Sequence, residues 1–541
     1  MKRKYSMILA LLMALALLAA GCSPASTSQE STSAGASAET ASAETASAQT
    51  AEGGTLLVGL QGDPSSFNST ATVDDFSFVV GENIFNRLVK LDKANNIIPD
   101  LATDWTISDD GLTYTFNLAQ NVKWHDDTPF TSADVKWTLD TCISQQAYLA
   151  SALASVDSIE TPDDYTVVLK LKNTDAALLS NLSFLGAFIL PKHIYEGTDW
   201  LTNEANLAPI GTGPFKFVEY EKGVSITLEA NDDYFLGAPK VDRVIYKIIP
   251  DSNTALQAFL NGELDILGSI TPPTAEIASL EANPDVTVVK TTTAGRYYTA
   301  FNVTKAPFDK PEVRQAFAYA INREDVLTKA FKDSGAVAEG FYTPTIGWAY
   351  NADAKLPDVD IAKAKQLLEQ AGYTADANGT YLSVTLTTFN IDPFPDAATV
   401  IKDNLKQIGV DVTINLLEQA AWIQQLVVDH DFELTVMGGT VGPDPSVLGA
   451  RVGTGGMMNV GLYSNAEIDT LFAEALQITD QAQRAEKYKQ IQALLAQDLP
   501  IIPLVEDVSV DVFKSYITGM PAVEGVGKTA SFDYSLVQIN Q

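Results

Sequence analysis

The sequence predicts an α/β protein with more than one sheet, preceded by a segment that does not belong to the folded body. Five apolar or alternating stretches have the pattern of strands, and amphipathic stretches with helix caps lie between them. The chain has 541 residues, of which 46% are hydrophobic and 9% aromatic, so it can bury a core over several domains. Strands that alternate with helices over such a length are typical of α/β folds.

The first 21 residues have the pattern of a bacterial targeting segment. Basic residues at positions 2–4 precede an unbroken apolar run at 7–20, which is shorter than the roughly 20 residues that span a bilayer. The junction at 18–22, LAAGC, resembles a lipobox, in which the cysteine is lipidated and the peptide is cut before it, although Ala19 stands where leucine is usual. We therefore predict a signal peptide over 1–21 and a lipid anchor on Cys22. The alternative is an ordinary secretory peptide followed by an incidental cysteine.

Residues 22–53 are rich in Ser, Ala and Thr and contain the near-repeat SAETASAETASAQTA at 37–51. This stretch has no aromatic residue, so ordering it would cost entropy without burial, and we predict a disordered linker. The second cysteine, Cys142, then has no partner for a disulfide and is expected to be a small buried residue.

The body begins at Thr55. One helix is predicted over 311–331, where apolar residues recur on a single face, and a second helix begins after Asp360 and ends at Gly372. The glycines and proline of 211–214 indicate a tight turn. The predicted strands are 165–171, 225–229, 244–249, 382–388 and 411–417.

Composition and motifs exclude several function classes. The net charge of −33, from 68 acidic and 35 basic side chains, argues against nucleic-acid binding, which needs a basic surface. The histidines His125, His193 and His430 are too scattered for a metal site, and no CxxC, HExxH or GxSxG motif occurs. The P-loop-like stretch 525–529 lacks the first glycine of that motif and is interpreted as a chance loop. We expect no enzyme activity, no metal and no cofactor.

Longer phrases of the body carry a resemblance. They run in order from Thr55 to about Val505 and include IFNRLVKLD, IIPDLATDWTISDDGLTYTFNLAQNVKWHDDTPFTSADV, PIGTGPFKFVEYEKGVSITLEANDDYFLGAPKVDRVIYKIIPD, APFDKPEVRQAFAYAINRE and NVGLYSNAEIDTLFAEA. This series resembles the solute-binding proteins of peptide- and nickel-type ABC importers, bacterial extracellular solute-binding family 5. The chain departs from the family pattern at Ala119, where arginine is usual, and at Asn121 and Asp127, where glycine is usual.

The resemblance implies a two-lobed, periplasmic-binding-protein-like fold (type II, Venus-flytrap) with an extra inserted domain. Lobe I would comprise 54–95, 205–300 and 500–541, the inserted domain 96–204, and lobe II 301–499. A small solute or peptide would bind between the lobes, and the closed protein would deliver it to an ABC permease and ATPase complex. We expect a monomer, held by its lipid anchor on the extracytoplasmic side of the cell membrane.

The resemblance also bears on the ligand. Dipeptide binders of this family hold the peptide amine with an aspartate, which here falls at Gly442 or in a gap, and no arginine between 381 and 410 matches the one that pairs with the carboxylate. Longer peptides are therefore favoured over dipeptides. The alternatives are an oligosaccharide or other small-solute receptor, or a sensing or interaction protein that transports nothing.

Eight residues match positions that line the family's cleft. Six of them have a structural alternative: core packing for the four aromatic residues, a helix or turn cap for Asp444, and a surface salt bridge for Arg451, which is otherwise a suitable partner for an anion. The predicted cleft residues are Tyr297, Tyr298, Asn302, Trp422, Asp444, Arg451, Asn459 and Tyr463.

Overall fold

The computed structural model describes residues 53–71, 75–92, 96–145, 147–183, 187–343, 346–440, 442, 444–520 and 533–540. These residues belong to one compact unit, Thr50–Gln541. The predicted signal peptide, Cys22, nearly all of the predicted linker and the 525–529 loop lie outside the described residues.

The elements alternate between strands and helices along the whole body. The strands are β1 (Thr55–Leu60), β2 (Val89–Leu91), β3 (Ile97–Pro99), β4 (Ala102–Ile107), β5 (Thr113–Leu118), β6 (Val156–Asp163), β7 (Thr166–Leu171), β8 (Phe215–Glu221), β9 (Ser225–Ala230), β10 (Arg243–Ile248), β11 (Val286–Phe301), β12 (Ala336–Val337), β13 (Leu382–Phe389), β14 (Val410–Leu417), β15 (Leu434–Thr440), β16 (Ile501–Lys514), β17 (Ile517–Thr518) and β18 (Gln538–Ile539).

The α-helices are α1 (Asp75–Ile84), α2 (Ser132–Ser144), α3 (Leu178–Leu182), α4 (Lys192–Tyr195), α5 (Ser252–Leu260), α6 (Ile277–Glu281), α7 (Pro311–Ala320), α8 (Arg323–Ala330), α9 (Ile361–Gln370), α10 (Phe394–Lys406), α11 (Gln419–Trp422), α12 (Gly449–Val452), α13 (Ala466–Leu476) and α14 (Gln481–Asp498). A π-helix follows α11 at Ile423–Val428, and short 3₁₀ helices lie at Tyr148–Ser151, Glu204–Asn206, Thr274–Glu276 and Pro445–Leu448. None of the described helices has the length and apolar character that crossing a membrane requires.

Three sheets of four or more strands organise the described elements, and two further sheets, β2-β3 and β17-β18, have two strands each. Sheet 1 has the strand order β1-β10-β9-β8, with β1 parallel to β10. Sheet 2, order β4-β5-β7-β6, is antiparallel throughout. Sheet 3, order β12-β16-β11-β15-β13-β14, is mixed, because β13 runs parallel to both of its neighbours. Sheet 1 lies in the segments predicted as lobe I, and sheet 2 lies in the predicted inserted domain. Strands β12, β13, β14 and β15 of sheet 3 lie in the segment predicted as lobe II, whereas β11 and β16 run between the two lobes. The boundaries that the sequence gives for these domains stay a prediction.

The five predicted strands are confirmed, each with ends within one residue of the expected ones. The single helix predicted over 311–331 is wrong, because the chain is extended at Ile321 and restarts as α8. The side chain of Asn322 accepts hydrogen bonds from the backbone of Glu324 and Asp325 and so caps the new helix. The predicted cap of the next helix is confirmed, since Asp360 accepts a 2.8 Å bond from the backbone N–H of Lys363.

Buried side chains form two large cores. One core packs around sheet 3 and the helices of lobe II, whereas the other joins sheet 1 to sheet 2, with Val58 and Phe116 as members. Sheet 2 thus shares its core with lobe I. Cys142 is fully buried in this shared core, where burial raises the pKa of its thiol to about 12, and the expectation of a small buried residue is confirmed.

Two positions that depart from the family's glycines have left-handed backbone. Asn121 has φ of 68° and Asp127 has φ of 67°. Asn and Asp enter this region more readily than other side chains do, so both turns keep the conformation that a glycine would allow.

Candidate functional site

Two long strands connect the lobes. The first half of β11, up to Thr292, pairs with Val508–Lys514 beside lobe I, and its second half, from Arg296, pairs with Ile501–Glu506 in lobe II. The ladder is interrupted between Thr292 and Arg296. This interruption is the hinge candidate, because residues outside a ladder can change backbone angles without breaking its bonds.

The strand ends of lobe I point toward this hinge. Ile266 bridges Val58 of β1 in parallel and Phe513 of β16 in antiparallel orientation, so β1 runs antiparallel to β16. Because β11 also runs antiparallel to β16, β1 and β11 share one direction. The carboxyl end of β1 therefore faces lobe II.

The strand ends of lobe II meet the hinge from the other side. β15 runs antiparallel to β11, and its last residue, Thr440, pairs with Gly295 in the hinge. β13 and β14 run in the same direction as β15. The carboxyl ends of strands in both lobes thus face one space, which is where open α/β sheets bind ligands.

One strand edge in this space is open. The ladder between β13 and β15 ends at the pair Thr388 and Val436, although β15 continues to Thr440. Over Met437–Thr440, β15 pairs with β11 on one side, and no described strand pairs with it on the other. The open edge, Met437–Thr440, offers backbone donors and acceptors to a ligand.

Aromatic side chains form a wall next to the open edge. The ring centroid of Phe394 lies 5.8 Å from that of Tyr297 and 5.1 Å from that of Phe389. Trp422 stacks on Phe389 with centroids 4.2 Å apart, and is only 3% exposed. The structure brings the predicted residues Tyr297 and Trp422 to this wall, Tyr297 half-buried at the edge and Trp422 behind Phe389.

The guanidinium of Arg451 lies over the open edge. A Cβ added to Gly439 would stand only 2.6 Å from Nη2 of Arg451. Tyr298 is 1% exposed; burial raises the pKa of its hydroxyl, and the nearby Arg451 opposes that rise. Arg451 is therefore the predicted residue that brings positive charge to the open edge.

Asp444 is held inside lobe II by a buried ion pair. Its two carboxylate oxygens accept hydrogen bonds of 2.9 and 2.8 Å from the two terminal nitrogens of Arg484, and one of them also accepts from the backbone N–H of Ser446. The alternative interpretation of Asp444 as a cap is confirmed. The pair was not foreseen, and it engages both oxygens that a ligand amine would need.

The structure places Asn302, Asn459 and Tyr463 away from the hinge. Asn302 follows Phe301, which pairs with the first residue of β15, so it lies about 20 Å along the strand from Thr440. Asn302 donates to the backbone of His430, and Asn459 donates to the carbonyl of Tyr463. The hydroxyl of Tyr463 donates to Asp498. These polar groups are bonded within lobe II, and their contact with a ligand stays a prediction.

Four of the predicted residues line a small cavity in lobe II, and one of them, Arg451, also reaches the open edge. Its volume is about 10 Å³, enough for one water molecule. The predicted residues that line it are Tyr298, Arg451, Asn459 and Tyr463.

A second buried ion pair, which the sequence did not indicate, lies at the hinge. Arg296 of β11 and Glu506 of β16 are 1% and 3% exposed, and Nη2 of Arg296 contacts both carboxylate oxygens at 3.1 Å. Nη1 of Arg296 donates to the carbonyl of Gly340. Burial raises the pKa of Glu506 to about 7, although Arg296 opposes the rise.

Among the described residues, no group of His, Cys, Asp and Glu side chains could hold a metal ion. His125 contacts the backbone carbonyl of Gly213 at 3.0 Å through Nε2, and burial lowers its pKa to about 4. It braces the 211–214 turn, as does Ile84, whose carbonyl accepts a bond from the N–H of Gly213.

Two lobes, two connecting strands and facing strand ends define the class of two-lobed solute-binding proteins. The family model described as "Bacterial extracellular solute-binding proteins, family 5 Middle" matches residues 96–457. The chain belongs to this family. It is therefore an extracytoplasmic solute-binding component of an ABC importer.

Individual proteins agree with this assignment. The oligopeptide-binding protein AppA of Bacillus subtilis is 33% identical over 472 residues, which cover 83% of this chain and 85% of that protein. Its structure in complex with a nonapeptide superposes with a TM-score of 0.76 at 30% identity, covering 91% of this chain and 100% of the other. The ABC transporter substrate-binding protein CtaP of Listeria monocytogenes superposes with a TM-score of 0.82 at 28% identity, covering 91% and 100%.

Proposed function

We propose that the chain captures oligopeptides between its lobes and delivers them to the permease of an ABC importer. The open edge Met437–Thr440 carries this proposal. A peptide that adds a strand there gains backbone hydrogen bonds that do not depend on its side chains or on its termini. The relative AppA of Bacillus subtilis, with its bound nonapeptide, supports the same ligand class.

The surroundings of the edge favour peptides longer than two residues. A dipeptide receptor needs charged partners for both termini, and the carboxylate of Asp444 is already neutralised by Arg484. Without those partners, affinity must come from several backbone bonds along the edge. Closure about the hinge would then exclude water from these bonds and strengthen them.

The ligand class is tested by calorimetry of the purified chain with peptides of two to eight residues and with oligosaccharides. We expect peptides of about four or more residues to bind more tightly than dipeptides, with stoichiometric binding and no hydrolysis. Methylating single backbone nitrogens of a bound peptide should weaken binding at alternate positions, because only every second residue of an added strand points its N–H at the edge. Tight dipeptide binding, or binding of sugars alone, would contradict the proposal.

We further propose that lipid on Cys22 anchors the protein beside its permease. Cys22→Ser should release the protein to the soluble fraction or leave it uncleaved, as read by lipid labelling and membrane fractionation. Cys142→Ser is the matched control, because that thiol is buried in the body and its loss should leave labelling unchanged. Unchanged labelling of Cys22→Ser would remove the anchor from the proposal.

A further inference from the structure

The two glycines of the open edge face opposite sides of sheet 3. In an antiparallel pair, directly opposed residues point to the same face, and successive residues alternate. Gly438 is opposed to Tyr297, and Gly439 is opposed to Arg296. A peptide strand added to the open edge would therefore place one side chain beside Gly438 on one face and the next side chain beside Gly439 on the other.

The position beside Gly438 is aromatic. A Cβ on Gly438 would lie 2.9 Å from Cδ1 of Tyr297, so the tyrosine ring leans over the glycine toward the open edge. Phe394 and Phe389 extend the aromatic wall from Tyr297 toward the position beside the open edge that a peptide strand would take. This position follows the end of β13, whose last residue is Phe389. An apolar or aromatic peptide side chain beside Gly438 would remove these rings from water.

The position beside Gly439 is cationic. Nη2 of Arg451 occupies the space that a side chain at Gly439 would fill, so the guanidinium lies where the next peptide side chain would project. The whole chain carries a net charge of −33, and its long-range field repels acidic ligands. A guanidinium at the open edge reverses that preference locally, because it pairs with a carboxylate in fixed geometry.

We propose that the cleft selects oligopeptides in which an apolar or aromatic residue stands directly next to an aspartate or glutamate. This inference rests on the proposed function, since it assumes a peptide strand at Met437–Thr440. The strand direction fixes the order of the two residues. A peptide that runs parallel to β15, as β13 does, presents the apolar residue first, whereas an antiparallel peptide presents the acidic residue first.

The test uses peptides of about six residues that differ only in one central pair, titrated into the purified full-length chain. The pairs are Phe-Glu, Phe-Gln, Ala-Glu, Glu-Phe and Gln-Phe in one neutral background. We expect one acidic order to bind best and its Glu-to-Gln partner to bind about 10-fold more weakly, as for a half-buried charged pair. Replacing Phe by Ala should cost a similar factor.

Protein variants assign each preference to its side chain. Arg451→Gln should abolish the difference between Glu and Gln peptides, and Arg451→Lys should retain part of it. Arg243→Gln is the matched control, because this exposed arginine stands at the amino end of β10, away from the cleft. Tyr297→Ser should reduce the preference for Phe over Ala, whereas Tyr297→Phe should preserve it.

The outcomes distinguish selectivity between peptides from peptide binding itself. Peptides that all bind within about 2-fold of one another would overturn the selectivity and leave oligopeptide binding intact. A Glu preference that survives in Arg451→Gln would overturn the role of Arg451. Failure of every peptide in the wild-type chain to bind would overturn the proposed function and this inference with it.

Discussion

Replacing Asp444 by asparagine tests whether this residue stabilises lobe II or binds ligand. In the structure its side chain is 4% exposed and pairs in a bidentate manner with Arg484, whose side chain is 6% exposed. Burial alone would lower the pKa of Arg484, but the carboxylate of Asp444 and the hydroxyl of Tyr488 together outweigh burial and raise that pKa. Asp444→Asn keeps an oxygen for the backbone N–H of Ser446, but it removes the charge and replaces the oxygen that accepts from Nη1 of Arg484 with an NH2 donor.

The size of the expected loss in stability follows from the hydrogen bonds that Arg484 keeps in the variant. Its Nε still donates to the carbonyl of Ala475 at 3.0 Å, and its Nη2 to the hydroxyl of Tyr488 at 2.9 Å. Two neutral acceptors do not compensate a buried guanidinium, and removal of one partner from a buried pair costs about 3–5 kcal/mol. Because the cap to Ser446 survives, we expect about 3–4 kcal/mol. Asp444→Leu combined with Arg484→Met should recover most of this loss, since an apolar pair leaves no charge buried.

The assay is urea unfolding followed by tryptophan fluorescence, because Trp348 lies 5.5 Å from the guanidinium of Arg484 and reports on lobe II. Asp140→Asn is the matched control: its ion pair with Lys136 is about half exposed, and its loss should change stability by less than about 1 kcal/mol. If Asp444→Asn changed the free energy of unfolding by less than about 1 kcal/mol and also weakened peptide binding, Asp444 would be a ligand-binding residue and not a structural one.

Three further changes probe the hinge, the turn and the aromatic wall. The pKa of Glu506 in the folded protein, about 7, lies above its ordinary value of 4.5. Its contribution to stability is therefore complete below pH 4.5 and is lost as the pH rises through 7, and Glu506→Gln should remove this fall in stability. The measurement is the urea midpoint between pH 4 and 8, and an unchanged fall in the variant would contradict the prediction. In Gly211→Ala the new Cβ would stand 1.7 Å from the carbonyl oxygen of Ile84, so we expect a loss above about 3 kcal/mol or no folded protein, and near-normal thermal stability would contradict it. Trp422→Ala should lower unfolding stability by about 3–5 kcal/mol as well as weaken peptide binding, because the ring is buried; weaker binding at unchanged stability would make it a direct ligand contact.

Sequence patterns predicted the fold well where residues close in sequence determine the structure of a helix or strand. The strand at 382–389 alternates in burial only through its first half, where Val384 and Leu386 are buried and Ser383 and Thr385 are more exposed. The cap at Asp360 depends on a residue three positions away. The prediction of one continuous helix through Asn322 was wrong for a physical reason. The apolar periodicity continues through it, but its backbone N–H donates to the side chain of Asn404, and such a distant partner has no local signal.

The ion pairs mark the limit of residue-type reasoning in so acidic a chain. Arg296 and Glu506 are separated by 210 positions, and Asp444 and Arg484 by 40. With 68 carboxylates for 35 basic side chains, the sequence offers many partners for each arginine, and only the tertiary fold selects one. Asp444 was therefore expected in the cleft on its position in a phrase, while the contacts that occupy it come from a helix far along the chain.

The open edge depends on register in the same way. The sequence predicts β13, which ends at Phe389, but it predicts neither β15, which ends at Thr440, nor the offset between the two strands. Thr388 pairs with Val436, which leaves four residues of β15 uncovered. A shift of β13 by four positions toward the hinge would cover Gly438 and Gly439 with its own backbone and close the site. A peptide could then no longer pair with the backbone of these two glycines. The predicted contacts of Tyr297 and Arg451 with peptide side chains therefore depend on this offset between the strands and not on either side chain alone.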